Sequence, residues 1–258
     1  MSDLFDISGK TALVTGGSRG IGKMIAGGLV RAGAHVMVSS RKAEDLQAAA
    51  AELAELGECH AVPADLSSPD GAEALADAVR ARVERLDILV NNAGATWGAP
   101  LDEFPATGWD RVMHTNVEGI FHLTIGLLPA LRAAASETQP ARIINIGSID
   151  GLRPPTMDNY SYSASKAAVH MLTKHLAKRL ASEHITVNAI APGPFESKMT
   201  AFMLDSLEAR EVVEQLVPLG RIGRPDDIAG FVIFLASRAG SYLTGTVIPL
   251  DGGITGCG

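Results

Sequence analysis

The sequence predicts an α/β protein built on one doubly wound parallel sheet of about seven strands. Short β-branched apolar runs alternate along the chain with longer Ala- and Leu-rich stretches, the pattern of repeated strand–helix units. The short runs, such as Ile88-Leu89-Val90 and Ile143-Ile144, are apolar without alternation, as strands covered on both faces must be. The size agrees: 258 residues, 47% hydrophobic and 20% charged, suffice for one large core.

In chain order, a strand at 11–15 is followed by a helix at 20–32, then a strand at 35–39 and a helix at 43–56. The pattern continues with a strand at 61–64, a helix at 69–85, a strand at 86–91 and a long helical stretch at 107–135. After these come a strand at 142–147, a helix at 161–182, a strand at 185–191 and a last strand at 245–250 before the turn Asp251-Gly252-Gly253. No linker, fixed-period repeat or low-complexity tract divides the chain, so one domain spanning 1–258 is expected. Residues 192–225 are the one long irregular stretch, interrupted by an amphipathic segment at about 200–217, and connections of that length are lids or binding loops. The substrate cover is expected there.

Charge and cysteine usage narrow the partners. With 22 Lys+Arg against 29 Asp+Glu the net charge is −7, the wrong sign for nucleic acid held on a diffuse basic surface. Cys59 and Cys257 are the only cysteines, too few for a disulfide scaffold or a Cys-rich metal site, and a reduced cytoplasmic setting fits. The seven histidines form no His-Glu-x-x-His cluster, and no metal is expected. The first residues lack the basic start and apolar stretch of a secretory signal, and no uncharged apolar run of membrane-spanning length is evident, so neither export by a signal peptide nor a membrane is expected.

Two constellations carry chemistry. Thr15-Gly16-Gly17-Ser18-Arg19-Gly20-Ile21-Gly22 lies where the first strand gives way to the first helix. Glycines there let the backbone turn tightly and bring a pyrophosphate to the helix N-terminus, where free N–H groups and the dipole favour negative charge. The spacing is G-x-x-x-G-x-G, so the strand–turn–helix context carries this inference. At the end of the second strand, where an NAD-binding protein places an acid for the ribose hydroxyl, the chain has Ser39-Ser40-Arg41. Arg41, with Arg19 from the glycine turn, could hold a 2′-phosphate, which favours NADPH. The second constellation is Tyr162 and Lys166, four residues apart on one helical face, where an ammonium would lower the pKa of the phenol. Ser148, closing the strand 142–147, lies at the carboxyl edge where open α/β sheets place ligands. His170 and His175 read as helix-surface or packing residues, and Trp97 and Trp109 as core or rim.

These residues resemble the short-chain dehydrogenase/reductases over nearly the whole chain. The glycine turn looks like the family's TGxxxGxG motif, Asp65-Leu66 like its acidic position near the adenine, and Asn91-Asn92-Ala93-Gly94 like its NNAG segment. Asn116 matches the family's helix asparagine, Ser148, Tyr162 and Lys166 the rest of its catalytic tetrad, and Pro192-Gly193 the loop beside the nicotinamide. Ser197 stands where the family often has a threonine contacting the carboxamide, and the loop between Ser148 and Tyr162, with Pro154-Pro155, is one residue longer than common. The resemblance implies a Rossmann-type fold and hydride transfer between NADP(H) and a carbonyl or alcohol carbon. Tyr162 would exchange the proton, Ser148 would hold the substrate oxygen, Lys166 would bind the nicotinamide ribose and depress the Tyr162 pKa, and Asn116 would hold a water near Lys166. Gly16, Ser18, Gly20, Ile21, Gly22, Ser40, Asn92, Ala93 and Gly94 would complete the cofactor site. In the family, helices like 107–135 and 161–182 pair across a two-fold interface, which implies a homotetramer. Several stretches look most like 3-oxoacyl reductases of the rhamnolipid-associated branch, so a 3-oxoacyl thioester or similar ketone is the expected substrate. An NAD-dependent alcohol or polyol dehydrogenase and a non-catalytic nucleotide sensor are the alternatives.

Overall fold

The computed structural model describes residues 4–197, 200 and 206–257. Seven strands form one parallel sheet: β1 Thr11–Thr15, β2 His35–Ser39, β3 Cys59–Ala61, β4 Ile88–Asn91, β5 Ala141–Ile146, β6 Ile185–Pro192 and β7 Val247–Leu250. Their order is β3-β2-β1-β4-β5-β6-β7. The order reverses direction between β1 and β4, the switch point at which doubly wound sheets open a crevice at their carboxyl edge.

The unbroken apolar strands follow from what covers them. Ala12, Val14, Val36, Val38, Ile88 and Val90 point into one core with α1 (Gly20–Arg31), α2 (Ala43–Ala54) and α8 (Pro225–Ala236). Leu13, Met37, Leu89, Ile143 and Val187 point into the other, against α3 (Pro69–Arg80), α5 (Gly119–Ala134) and α6 (Tyr160–Leu180). Alternate side chains leave opposite faces of a strand, so a strand buried on both must be apolar at every position. Gly28 of α1 permits the approach of α8, since a Cβ there would lie 2.4 Å from Ala229 Cβ.

The third strand is displaced toward the N-terminus of its expected span, and α8 falls in a region to which no helix was assigned. The stretch expected as one helix at 107–135 is α4 (Ala106–Met113), a π-helical turn at His114–Glu118, and α5. Taken together, Ala106–Ala134 is long and apolar enough by length and composition to cross a membrane, but Asp110, Arg111, Glu118 and Arg132 interrupt it, so it is not an uncharged apolar run of that length. Here Leu123, Leu127 and Leu131 lie fully buried in the core beneath the sheet. Of the segment 192–225, residues 198, 199 and 201–205 lie outside the described residues; its remainder contains α7, Leu207–Gln215.

Candidate active site

The glycine turn is tied to the loop after β4 by Thr15. Its Oγ1 accepts the N–H groups of Asn92 and Ala93, each at 3.0 Å, while Asn92 Nδ2 donates to the Thr15 carbonyl at 2.9 Å. Gly16 has φ +67°, and a Cβ on it would meet Asn92 Nδ2 at 2.7 Å; a Cβ on Gly22 would meet the Gly16 carbonyl oxygen at 2.3 Å. Only glycine fits either place. Helix α1 starts after Arg19 with no side-chain cap and no acidic residue in its first turn. Its first N–H groups are therefore available to an anion. Ser18 is partly exposed, Ile21 packs on the core, and Gly20 lies under Ser197, whose Cβ would be 3.1 Å from a Cβ on Gly20. Thus Ser197, on the segment leaving β6, faces the glycine turn, while Pro192 ends β6 and Gly193 packs against Asp251. The Gly193 N–H donates to the Leu250 carbonyl at 3.0 Å, which fixes that segment to β7.

At the end of β2 the Ser40 hydroxyl is buried without a hydrogen-bond partner among the described residues. Arg41 and Arg19 are exposed and make no ion pair among the described residues. Asp65 is exposed, its carboxylate accepting the Ser67 N–H at 3.0 Å, and Leu66 is buried. An uncapped helix start, a close-packed glycine cradle and a buried orphan hydroxyl fit a dinucleotide, and the two unpaired guanidinium groups fit one with an extra phosphate.

Ser148 follows β5 and caps a single 3-10 turn, Ile149–Gly151, its Oγ accepting the Asp150 N–H at 3.1 Å. Tyr162 and Lys166 stand one turn apart near the start of α6. Lys166 is 4% exposed, its Nζ donating to the Ile146 carbonyl at 2.8 Å and lying 5.5 Å from the centre of the Tyr162 ring. Burial pushes Lys166 down to about 8, opposed by the charge of Asp150. The Tyr162 phenol is pushed up to about 12, first by burial, with Asp150 adding to the rise and a hydrogen bond to Ser148 opposing it. Burial thus sets the net direction for the phenol, and Tyr162 holds its proton in the neutral range.

Asn116 lies in the π turn, fully buried. Its Oδ1 accepts the Ala95 N–H at 2.7 Å, and its Nδ2 donates to the Ala95 carbonyl and to Ser165 Oγ, both at 2.9 Å. With the amide committed on both sides, Asn116 braces α6 against the loop after β4. Gly94 sits directly against it. The widened turn pairs Gly119 N–H with the His114 carbonyl, five residues back.

Sequence reasoning thus located Ser148, Tyr162, Lys166 and the glycine turn, which the structure brings to one carboxyl edge. It named Thr15 within the turn but not its bracing role, and it missed Ser165, which braces Asn116 against α6, and Asp150, whose field reaches both Tyr162 and Lys166. The signal for Asp150 was present: an acid two residues after Ser148. Trp97 packs on Gly108, with Arg111 at 6.0 Å from its ring, and Trp109 is 42% exposed beside Phe104, so both belong to the rim.

A doubly wound sheet with a glycine cradle at its switch point and a Ser–Tyr–Lys group across the crevice defines a nucleotide-dependent oxidoreductase architecture. A family profile described as enoyl-(acyl carrier protein) reductase matches residues 16–255. The chain is 51% identical, over 98% of its length and 99% of the relative's, to the rhamnolipids biosynthesis 3-oxoacyl-[acyl-carrier-protein] reductase of Pseudomonas aeruginosa. It is 38% identical to 3beta-hydroxysteroid dehydrogenase 1 of Eggerthella lenta, covering 97% of this chain and 95% of that one. Among solved structures, the Pseudomonas aeruginosa RhlG/NADP active-site complex superposes with a TM-score of 0.96 at 50% identity, covering 98% of this chain and 99% of that one. The chain belongs to the short-chain dehydrogenase/reductase family.

Proposed function

We propose that the protein reduces a ketone to a secondary alcohol with NADPH, and that the ketone is a 3-oxoacyl thioester or a close analogue. The observation that carries this reading is the pairing of the Ser148 and Tyr162 hydroxyls beside a buried Lys166, opposite the glycine turn. Two hydroxyls converging on one point suit a carbonyl oxygen. The thioester is supported by the Pseudomonas aeruginosa relative, named for a 3-oxoacyl substrate, and NADPH by Arg19, Ser40 and Arg41 and by the NADP complex of the similar structure.

When bound, NADPH supplies a hydride to the carbonyl carbon. Gly16, Gly20, Gly22 and the N–H groups of Ser18 and Ile21 would hold its pyrophosphate, Asp65, Leu66, Asn92, Ala93 and Gly94 would contact the adenosine, and Pro192, Gly193 and Ser197 would contact the nicotinamide. Ser148 donates a hydrogen bond to the carbonyl oxygen and so draws off the charge that develops there. Tyr162 gives its proton to that oxygen as the C=O double bond opens to a C–OH group. Lys166 offsets the phenolate left behind and holds the nicotinamide ribose. Asn116 keeps Lys166 and Tyr162 in register through Ser165, whose hydroxyl also donates to the Tyr162 carbonyl. The described part of the segment after β6, including α7, covers the substrate, and the chain works as one domain.

The protein is cytoplasmic in this reading, with Cys59 and Cys257 as free thiols. It assembles as a homotetramer through α5 and α6, whose outer faces expose Phe121, Ile125 and Met171. Following NADPH oxidation with an acetoacetyl thioester, a free 3-oxo ester, an aryl ketone and a sugar ketone tests the substrate class; the thioester should give the highest kcat/KM. Tyr162→Phe should bind NADPH normally and lose about 10²- to 10⁴-fold in kcat. Retention of more than a tenth of the activity would remove Tyr162 from the reaction.

A further inference from the structure

His170 stands one turn beyond Lys166 on α6 and is 6% exposed. A Cβ on Gly147 would lie 2.2 Å from His170 Nε2 and 2.8 Å from its Cδ2, and a Cβ on Gly151 would lie 2.8 Å from its Cε1. The imidazole therefore fills the space that a side chain at either glycine would need. Those glycines bracket Ser148-Ile149-Asp150. Gly151 also rests on the helix itself, where its Cβ would come within 2.7 Å of the Lys166 carbonyl carbon and 2.8 Å of the Ala167 nitrogen. From the sheet side, the Gly147 N–H is held by the Ile190 carbonyl at 2.7 Å.

Neither ring nitrogen has a partner within strict hydrogen-bond geometry among the described residues, and the nearest backbone group, at Gly151, is too poorly placed to hold the ring by itself. Shape sets the placement. The ring is also uncharged at neutral pH. Burial pushes it down to about 4, Lys166 and Lys174 on its own helix oppose a proton, and the Gly151 backbone favours one. Asp150 and Arg153 are the ionisable groups of the adjoining turn, and the neighbouring ends of β5 and β6, at Ile146 and Ile190, carry no charge.

We infer that His170 is a positioning residue, a flat neutral wedge between α6 and the Gly147–Gly151 turn that sets the Ser148 hydroxyl against Tyr162. The inference rests on the reading of Ser148 as the group that binds the substrate oxygen. A wedge on the same helix as Tyr162 and Lys166 gives the two halves of the site one common reference. Misplacement of a reacting group by about 1 Å can cost about 10²-fold in rate.

The test compares His170→Ala, Gly147→Ala and the double variant, with NADPH affinity read by fluorescence and kcat for an acetoacetyl thioester expressed per NADPH-binding site. His170→Ala is expected to lose about tenfold or more in kcat with unchanged NADPH affinity. A purely structural role would lower the melting temperature and leave kcat per site intact. Gly147→Ala, whose methyl meets the ring, should also lose kcat, and the double variant should lose less than the product of the two losses, because removing the ring makes room for the methyl. If His170→Ala does not fold, His170→Val, which keeps apolar volume near the helix but not the reach of the ring to Gly147, gives the same comparison. Wild-type kcat in the His170 variant, or losses that simply multiply, would overturn the inference. Ser148→Ala, run in parallel, separates the premises: if it keeps full activity the reading of Ser148 fails, whereas an inactive Ser148→Ala beside a fully active His170→Ala rejects only the wedge.

Discussion

Ser40 carries a buried hydroxyl at the end of β2, and Arg41 beside it a guanidinium with no ion pair among the described residues. A carboxylate at position 40 would accept a hydrogen bond from a ribose hydroxyl and repel a 2′-phosphate. Two exposed guanidinium groups, discounted for solvent and salt, leave a preference of about 1.4 to 2.8 kcal/mol, or roughly 10- to 100-fold, for NADPH. Ser40→Asp combined with Arg41→Ala should reverse it, as the ratio of kcat/KM for NADPH and NADH will report. Asp150 acts at the other end of the site. Its pKa is raised by burial, and its charge raises those of both Tyr162 and Lys166. Asp150→Asn should therefore move the alkaline limb of the kcat–pH profile to lower pH, since both groups would then lose their protons sooner. An unmoved limb would mean that the carboxylate is screened from the pair.

Packing between elements is where glycine and alanine differ in sign. In α1, Gly28→Ala would gain about 1 kcal/mol of helix propensity but press a methyl to 2.4 Å from Ala229, an overpacking cost of about 1 to 3 kcal/mol. In α8, Gly230 has nothing within 4 Å of its added Cβ, so Gly230→Ala keeps only the gain. Urea midpoints should fall for the first variant and rise for the second. Elements also differ in how far the sequence exposes them. β1, β2, β5 and β6 were legible because both faces are buried, which forces unbroken apolar runs. β3 is a three-residue edge strand with one buried position, too little pattern to fix its span. Helix α8 is nearly apolar throughout, and Phe231-Val232-Ile233-Phe234 has no polar face by which periodicity could tell helix from strand. The π turn was illegible because one extra residue within a helix leaves its composition unchanged. Within the site, residues with recognisable chemistry could be read directly, whereas His170 and Asp150 act through shape and field, which need coordinates.

Stability of the whole molecule should carry the mark of one buried ring. His170 takes a proton at about 4 in the folded chain but near its ordinary 6.5 when unfolded. Acid therefore favours unfolding, beginning as pH falls below 6.5 and complete below 4, by about 3 kcal/mol. Chemical denaturation between pH 7 and pH 4 should show this loss, and His170→Leu should remove that share of the slope. Assembly is measurable at the same scale. The exposed Phe121, Ile125 and Met171 predict a native mass near four times the 26.9 kDa of one chain, and a monomer under dilute native conditions would exclude pairing through α5 and α6.

The bond from Gly193 to Leu250 has a temporal side. A polypeptide leaves the ribosome from its N-terminus, so the glycine turn, Ser148, Tyr162 and Lys166 all emerge before the strand that secures the segment after β6. Competence must arrive late and abruptly during synthesis, and a nascent chain halted before β7 would carry every reactive side chain while lacking the anchor that holds the crevice wall in place.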